Sequence, residues 1–322
     1  MFFKHTTRAD APIMAKAVIS TCRQNGWSNA IQPQFLRTIF HDLMSYDCDF
    51  ETLDPISIDE FALEMPEPAK HHEVLDLMLA TEFLCPSISP AISDAINLWA
   101  QKLAINNNGL PLIRDLSKKL VAQAQQDFYR SNYFYDEDLA TPDFARLDQK
   151  YGLRATMWTV EVSDEVAARY ENLQNFPAGS LGRGLWDFYK KRNFTFPGMI
   201  GSINEAVAHH DWIHVLAEYD TNGIGEMEVA AFSTMATQSE SAVMNFLGTL
   251  SIYQGALLKT IVAGTPLGHD LEVVNGPERI AIALQRGKEV SIDLILGIDF
   301  FDYAHEPLQE LRKRWNIPAK PA

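Results

Sequence analysis

"AVAHHDWIHVLAEYDTNGIGEME", residues 206–228, decides how the chain is read, because it joins two helical faces through a turn that carries glycine. On a helix, His210 and His214 stand four residues apart, so their imidazoles project from one face. Zinc helices with the pattern H-E-x-x-H place two nitrogen ligands in this way. Here the residue after the first histidine is Asp211, one methylene shorter than the glutamate that activates water in metalloproteases, which disfavours peptidase chemistry. Asn222-Gly223 and Gly225 are turn formers, so the chain reverses and Glu226 begins a second helix beside the first. A hairpin of this kind brings a carboxylate to two imidazoles.

His210, Asp211, His214 and Glu226 are therefore the candidate metal ligands, with Asp211 and Glu226 also candidates for proton transfer. Two nitrogens with one or two carboxylate oxygens suit a divalent ion, zinc first, with cobalt, manganese, iron or magnesium as alternatives. The bland alternative is a pair of partly buried histidines satisfied by hydrogen bonds. Trp212, Ile213, Val215 and Leu216 indicate that the same helix also packs into a core.

Outward from this hairpin, helical periodicity dominates and alternating strand patterns are scarce, which predicts an all-α protein. In "HHEVLDLMLATEFL" (71–84), Val74, Leu77, Met78, Thr81 and Leu84 form one apolar face. In "PAISDAINLWAQKLAI" (90–105), Ser93 is placed to cap a helix, and "GLPLIRDLSKKLVAQAQQDFYR" (109–130) starts at Pro111 and runs on through good helix formers. Residues 131–152 break the pattern with acids, a proline and mixed aromatics. The chain, 322 residues long, is expected to form two helical domains: a bundle over 1–135 and a metal-binding helical domain over 150–322.

Composition excludes several classes. A net charge of −15, with acids in excess in both halves, argues against a nucleic-acid partner. Cys22, Cys48 and Cys85 are too widely spaced for a C-x-x-C site or a disulfide framework. "MFFKHTTRADAP" resembles neither a signal nor a transit peptide. The expectation is a soluble, cytoplasmic protein with peripheral contact to a membrane surface left open. The uncharged run "SAVMNFLGTLSIYQGALL" (241–258) falls short of a membrane span. With Gly248 and Gly255 it is a candidate wall of an apolar groove, or else a buried core helix.

Three other features carry less. Residues 47–67 hold eight acids and no base, but Thr52 and Ile58 occupy the positions where a calcium loop needs glycine and glutamate, so a solvated acidic loop is expected. "GSLGRG" (179–184) precedes a helix expected to begin near Leu185, yet it fits no phosphate-binding fingerprint and reads as a tight turn. His71 and His72, beside Glu73, read as exposed polar residues at a helix start.

The spacing His210-Asp211-x-x-His214, eleven residues, Glu226 resembles the signature of the fourth coenzyme Q (ubiquinone) biosynthesis protein family. "PAGSLGRGLWDFYKKRNF" (177–194), "GIGEMEVAAF" (223–232) and "YAHEPLQELRKRWNIP" (303–318) are similar to further blocks of that family, in the same order. The resemblance covers about residues 151–318. Residues 1–130 have no counterpart in it and are only faintly similar to TerB-like helical domains in "MPEPAKHHEVLDLMLATEFL".

The resemblance implies a bound divalent metal and a prenylated aromatic or isoprenoid lipid partner. It also implies contact with other quinone-biosynthesis enzymes, homo-oligomerisation being left open. The implied activity is oxidative decarboxylation of a prenylated hydroxybenzoate-type ring, and the alternative is a non-catalytic scaffold that binds such lipids around a structural metal. One departure stands out: where the family has a basic approach to its His-Asp pair, this chain reads "NEAVAHHD". Arg183, Arg279 and Arg286 are the candidate replacements for a carboxylate-binding arginine.

Overall fold

The computed structural model describes residues 3–24, 26–131, 144–239, 241–259 and 267–321. Among these residues the chain is all-helical, as its periodicity predicts. The first half contributes α1 (Ala11–Cys22), α2 (Ile31–Met44), α3 (Ile58–Glu64), α4 (Pro68–Phe83), α5 (Pro90–Lys102), α6 (Gly109–Ser117) and α7 (Val121–Ser131). Then follow α8 (Phe144–Tyr151), α9 (Leu153–Met157), α10 (Asp164–Glu171), α11 (Leu181–Arg192) and α12 (Glu205–Ala217). The chain continues through α13 (Gly223–Met235), α14 (Ser241–Tyr253), α15 (Gly276–Glu289) and α16 (Leu308–Arg314). No described helix is long and apolar enough to cross a membrane.

Helix α4 departs from the expected amphipathic stripe. Every residue from Glu73 to Phe83 is buried, including Glu73, Asp76 and Glu82, because α1, α5 and α14 pack around it. Polar groups buried in this way must be paired. Glu73 is not exposed but accepts the backbone N–H groups of Lys4, His5 and Thr6 and the Thr6 hydroxyl, which fastens the N-terminal segment. His71 is buried too, its Nε2 bonded to the Met65 carbonyl at 2.6 Å.

Other boundaries shift for local reasons. Ser89, not Ser93, caps α5: its side chain accepts from the Ile92 N–H with Pro90 at the first helical position, and Ser93 is buried inside the helix. The run expected over 109–130 is broken between α6 and α7, where Lys119 adopts a left-handed conformation (φ 61°). Of the segment expected to break the helical pattern, 132–143 lie outside the described residues and 144–151 form α8.

Helix α2 packs on α15, and both α4 and α7 pack on α14. Buried apolar side chains from Phe3 to Ile317 form one contiguous cluster. Helices α13 and α15 come closest, since a Cβ on Gly287 would stand 2.1 Å from the Phe232 carbonyl oxygen.

Glu82 gives this interior a pH signature. Burial raises its carboxyl to about 7, against the opposing pull of Cys22 and of Gln32, whose amide donates to it at 3.3 Å. A folded-state value above the unfolded one favours the protonated form. The contribution is therefore complete below the unfolded value of 4.5 and is lost as pH rises through about 7. The loss is about 3 kcal/mol. Urea midpoints at about pH 5 and about pH 8 are expected to fall with pH in the wild type and to fall less in Glu82→Gln. An unchanged pH dependence in that variant would remove Glu82 as the cause.

Candidate metal centre

Each end of α12 is fixed by a local device that also aims the site. Asn204 caps the start: its Oδ1 accepts from the Val207 N–H at 2.9 Å while its Nδ2 donates to the carbonyls of Ala155 and Thr156. At the other end Glu218 turns left-handed (φ 63°), which brings the Tyr219 carbonyl back to His214 Nδ1 at 3.1 Å. His210 Nδ1 meets the Val207 carbonyl in the same manner. A ring nitrogen facing a carbonyl carries the hydrogen, so in the neutral rings both Nε2 atoms present lone pairs.

The turn that follows is built by Asn222, whose side chain accepts from the Gly225 N–H at 2.9 Å. Gly225 is required there, because a Cβ would stand 2.0 Å from the Asp220 carbonyl oxygen. Glu226 thus enters the first turn of α13, where the helix dipole favours a carboxylate. Its Oε2 lies 3.5 Å from His214 Nε2 and 3.8 Å from His210 Nε2. Asp211 Oδ1 lies 3.4 Å from His210 Nε2. Ligand atoms of His210, Asp211 and His214 fall within 4.8 Å of one another.

Two observations test whether these residues fit a metal. His214 Nε2 is fully buried and has no hydrogen-bond partner among the described residues. Its neighbour is the Glu226 carboxylate at 3.5 Å, an ion-pair contact longer than a normal hydrogen bond, and a cation between the two would satisfy both. Donors about 2.0–2.2 Å from one tetrahedral ion stand roughly 3.3–3.6 Å apart, and the contacts at 3.4 and 3.5 Å are of that size. His210, Asp211 and His214 can each offer one ligand atom to a shared ion, with Glu226 standing beside the two histidines.

The electrostatics are those of a coupled cluster. Burial raises Asp211, although His210, His214 and a hydrogen bond from Tyr189 pull it down. For His214 burial disfavours the cation, but Glu226 and Asp211 outweigh it and raise the imidazole. Burial pushes Glu226 upward and is outweighed by the two histidines, which lower it.

Tyr189 on α11 was not among the residues singled out from the sequence. Its hydroxyl donates to Asp211 Oδ2 at 2.5 Å, leaving Oδ1 facing His210. Burial holds its pKa well above the ordinary tyrosine value, so it remains a donor. Such a partner fixes which carboxylate oxygen can reach an ion. His209, the third histidine of the cluster in sequence, takes no part. It is buried against Phe300, its Nε2 bonds the Leu294 carbonyl at 2.8 Å, and burial lowers its pKa to about 4.

The centre opens on a cavity of about 470 Å³. Helical spacing explains its walls: Val207, His210 and Asp211 come from α12, Glu226, Val229, Ala230 and Ser233 from α13, and Asn245, Thr249 and Ile252 from α14. Trp158, Tyr189, Phe194 and Tyr253 add aromatic surface. Helix α14 is thus both a core element and a cavity wall. Its glycine does not line the space; Gly248 lets the Phe128 ring approach, since a Cβ would stand 1.8 Å from it. Gly255 is closed against the carbonyls of Phe83 and Cys85.

No lysine or arginine lines the cavity among the described residues. Arg183 pairs with Asp187, Arg279 forks onto Glu228, and Arg286 donates to the carbonyls of Pro318 and Ala217. None replaces a carboxylate-binding arginine.

The glycine-rich 179–184 stretch is no anion site either. Helix α11 begins at Leu181 rather than Leu185, and the N–H groups of Leu181 and Gly182 are taken by the carbonyls of Glu306 and Ala304. The acids of 47–67 are mostly exposed, as expected of a solvated loop.

No family model and no curated protein matches this chain. A solved structure that is similar, at 2.85 Å, is of a protein from Nostoc punctiforme PCC 73102 provisionally assigned to ubiquinone biosynthesis. It is 16% identical, covers 76% of this chain and 97% of its own length, and gives a TM-score of 0.34. A score of that size carries no argument for a shared fold or activity.

Elemental analysis of the purified protein is expected to give about one divalent ion per chain and His214→Ala to abolish it. Tyr189→Phe should weaken zinc by about 10- to 100-fold in chelator competition. Wild-type protein that stays metal-free after loading with zinc, cobalt, manganese or iron would exclude the centre.

Proposed function

We propose that this protein is a metal-dependent enzyme acting on a prenylated aromatic ring in quinone assembly. The observation that carries the reading is the buried His214 Nε2, which makes no hydrogen bond and lies 3.5 Å from the Glu226 carboxylate on the wall of an apolar, aromatic-lined cavity. The local resemblance of residues 177–232 and 303–318 to the ubiquinone-biosynthesis family supports the substrate class.

His210, His214 and Glu226 would hold the ion, with Asp211 as a fourth ligand or as its neighbour. A bound divalent ion supplies Lewis acidity for negative charge that develops on a substrate oxygen. Trp158, Tyr189 and Phe194 provide flat apolar surface against which a ring can lie, and Val229, Ala230 and Ile252 suit an alkyl tail. Tyr189 keeps Asp211 oriented. Whichever carboxylate of Asp211 and Glu226 is not engaged by the ion is placed to move a proton. The reaction class is oxidative decarboxylation of a hydroxybenzoate-type ring: the bond from the ring to its carboxylate breaks, carbon dioxide leaves, and an oxygen atom from dioxygen bonds to the vacated carbon as a hydroxyl, so that two rings consume one dioxygen.

One observation favours a second reading. With no lysine or arginine on the cavity wall among the described residues, a substrate carboxylate meets no lysine or arginine side chain there. A non-catalytic scaffold that holds a prenylated lipid around a structural ion needs none.

Metal-loaded protein incubated with a prenylated 4-hydroxybenzoate under oxygen is expected to release carbon dioxide, and Glu226→Gln to release far less. Tight lipid binding without turnover, under each of several metals, would decide for the scaffold.

A further inference from the structure

We infer that α7, from the half of the chain outside the family resemblance, sets the length of apolar tail the cavity accepts, with Phe128 as the specificity-determining residue. This inference rests on the cavity being the ligand site proposed above.

Two cavity-lining residues, Phe128 and Tyr129, come from α7, whereas every ion-binding group comes from α12 and α13. Helix α7 packs on α9 and α14, so it belongs to a different wall from the metal centre. The wall is anchored. Phe128 is buried, its ring lies over Gly248 where no side chain fits, and its centroid is 5.1 Å from that of the tilted Tyr129 ring. The Gln125 side chain accepts from the Lys259 N–H at 2.9 Å and also donates to the Lys259 carbonyl, which ties α7 to the segment after α14. A ring packed against a glycine on a helix tied in this way cannot swing aside at low cost.

The chemistry of the wall agrees. Phe128 lies with Met157, Thr249 and Ile252 on the cavity surface, a lining for methylenes rather than for a charged head group. Each methylene that enters such a space gains about fourfold in affinity. Affinity should therefore climb with tail length and stop climbing where the Phe128 ring ends the space.

The test uses zinc-loaded, full-length protein and a series of 4-alkylphenols of increasing tail length, with affinity read by calorimetry. In the wild type, affinity is expected to rise and then level or fall beyond a limiting length. Phe128→Ala should move that limit to longer tails, the first of them gaining about fourfold per carbon. Phe128→Leu, which keeps apolar bulk and protects folding, should move it the same way by less, and Phe128→Trp should shorten it. Binding with the same limit in all three variants, or with no limit in the wild type, would overturn the role of Phe128 and leave the cavity reading standing. Failure of every alkylphenol to bind would overturn both.

Discussion

A buried histidine nitrogen that makes no hydrogen bond and stands 3.5 Å from a carboxylate arriving from the next helix is the constraint around which the candidate site is arranged. Holding it there requires the left-handed Glu218, which aims the Tyr219 carbonyl at the far side of the same ring. It requires Gly225, which lets the chain pass the Asp220 carbonyl before α13 begins. It requires Tyr189, which keeps one oxygen of Asp211 occupied and the other free to face His210. Each device is ordinary alone; together they converge three electron-pair donors and a carboxylate on one small volume.

The surrounding packing closes the back of that volume. Trp212 packs on Phe300 and Phe301 behind α12, and α15 closes on α13 through Gly287. Its front faces the aromatic cavity, to whose lining α7 contributes. The first half of the chain therefore touches the candidate function through its contribution to cavity shape, while the chemistry-bearing groups lie in the second half. An ion bound at His214 also stabilises the fold by linkage, because a preformed site exists only in the folded chain.

Much of this was legible in the sequence because it is local. The i, i+4 histidines, the Asn-Gly turn and Glu226 specify a helical hairpin within a couple of dozen residues, and periodicity alone gives the all-α class. What stayed hidden depends on contacts distant in sequence. Tyr189 reaches Asp211 across 22 positions, and no local pattern distinguishes it from a core tyrosine. His71 and Glu73 look like exposed polar residues until the N-terminal segment folds over them. Ser93 has the right residue type for a cap, but Pro90 starts the helix a turn earlier and gives the role to Ser89. The arginines considered as carboxylate partners are ion-paired or bound to carbonyls elsewhere, which only tertiary structure reveals.

If His210, His214 and Glu226 together hold an ion, with Asp211 beside it, added zinc must settle among them. Anomalous diffraction at the zinc edge, from crystals of zinc-loaded protein, tests it most directly. A single strong peak is expected about 2.0–2.2 Å from both imidazole Nε2 atoms and from a Glu226 oxygen. Zinc found only at surface pairs such as His41 with Asp47 or His269 with Glu272, with none at His214, would contradict it.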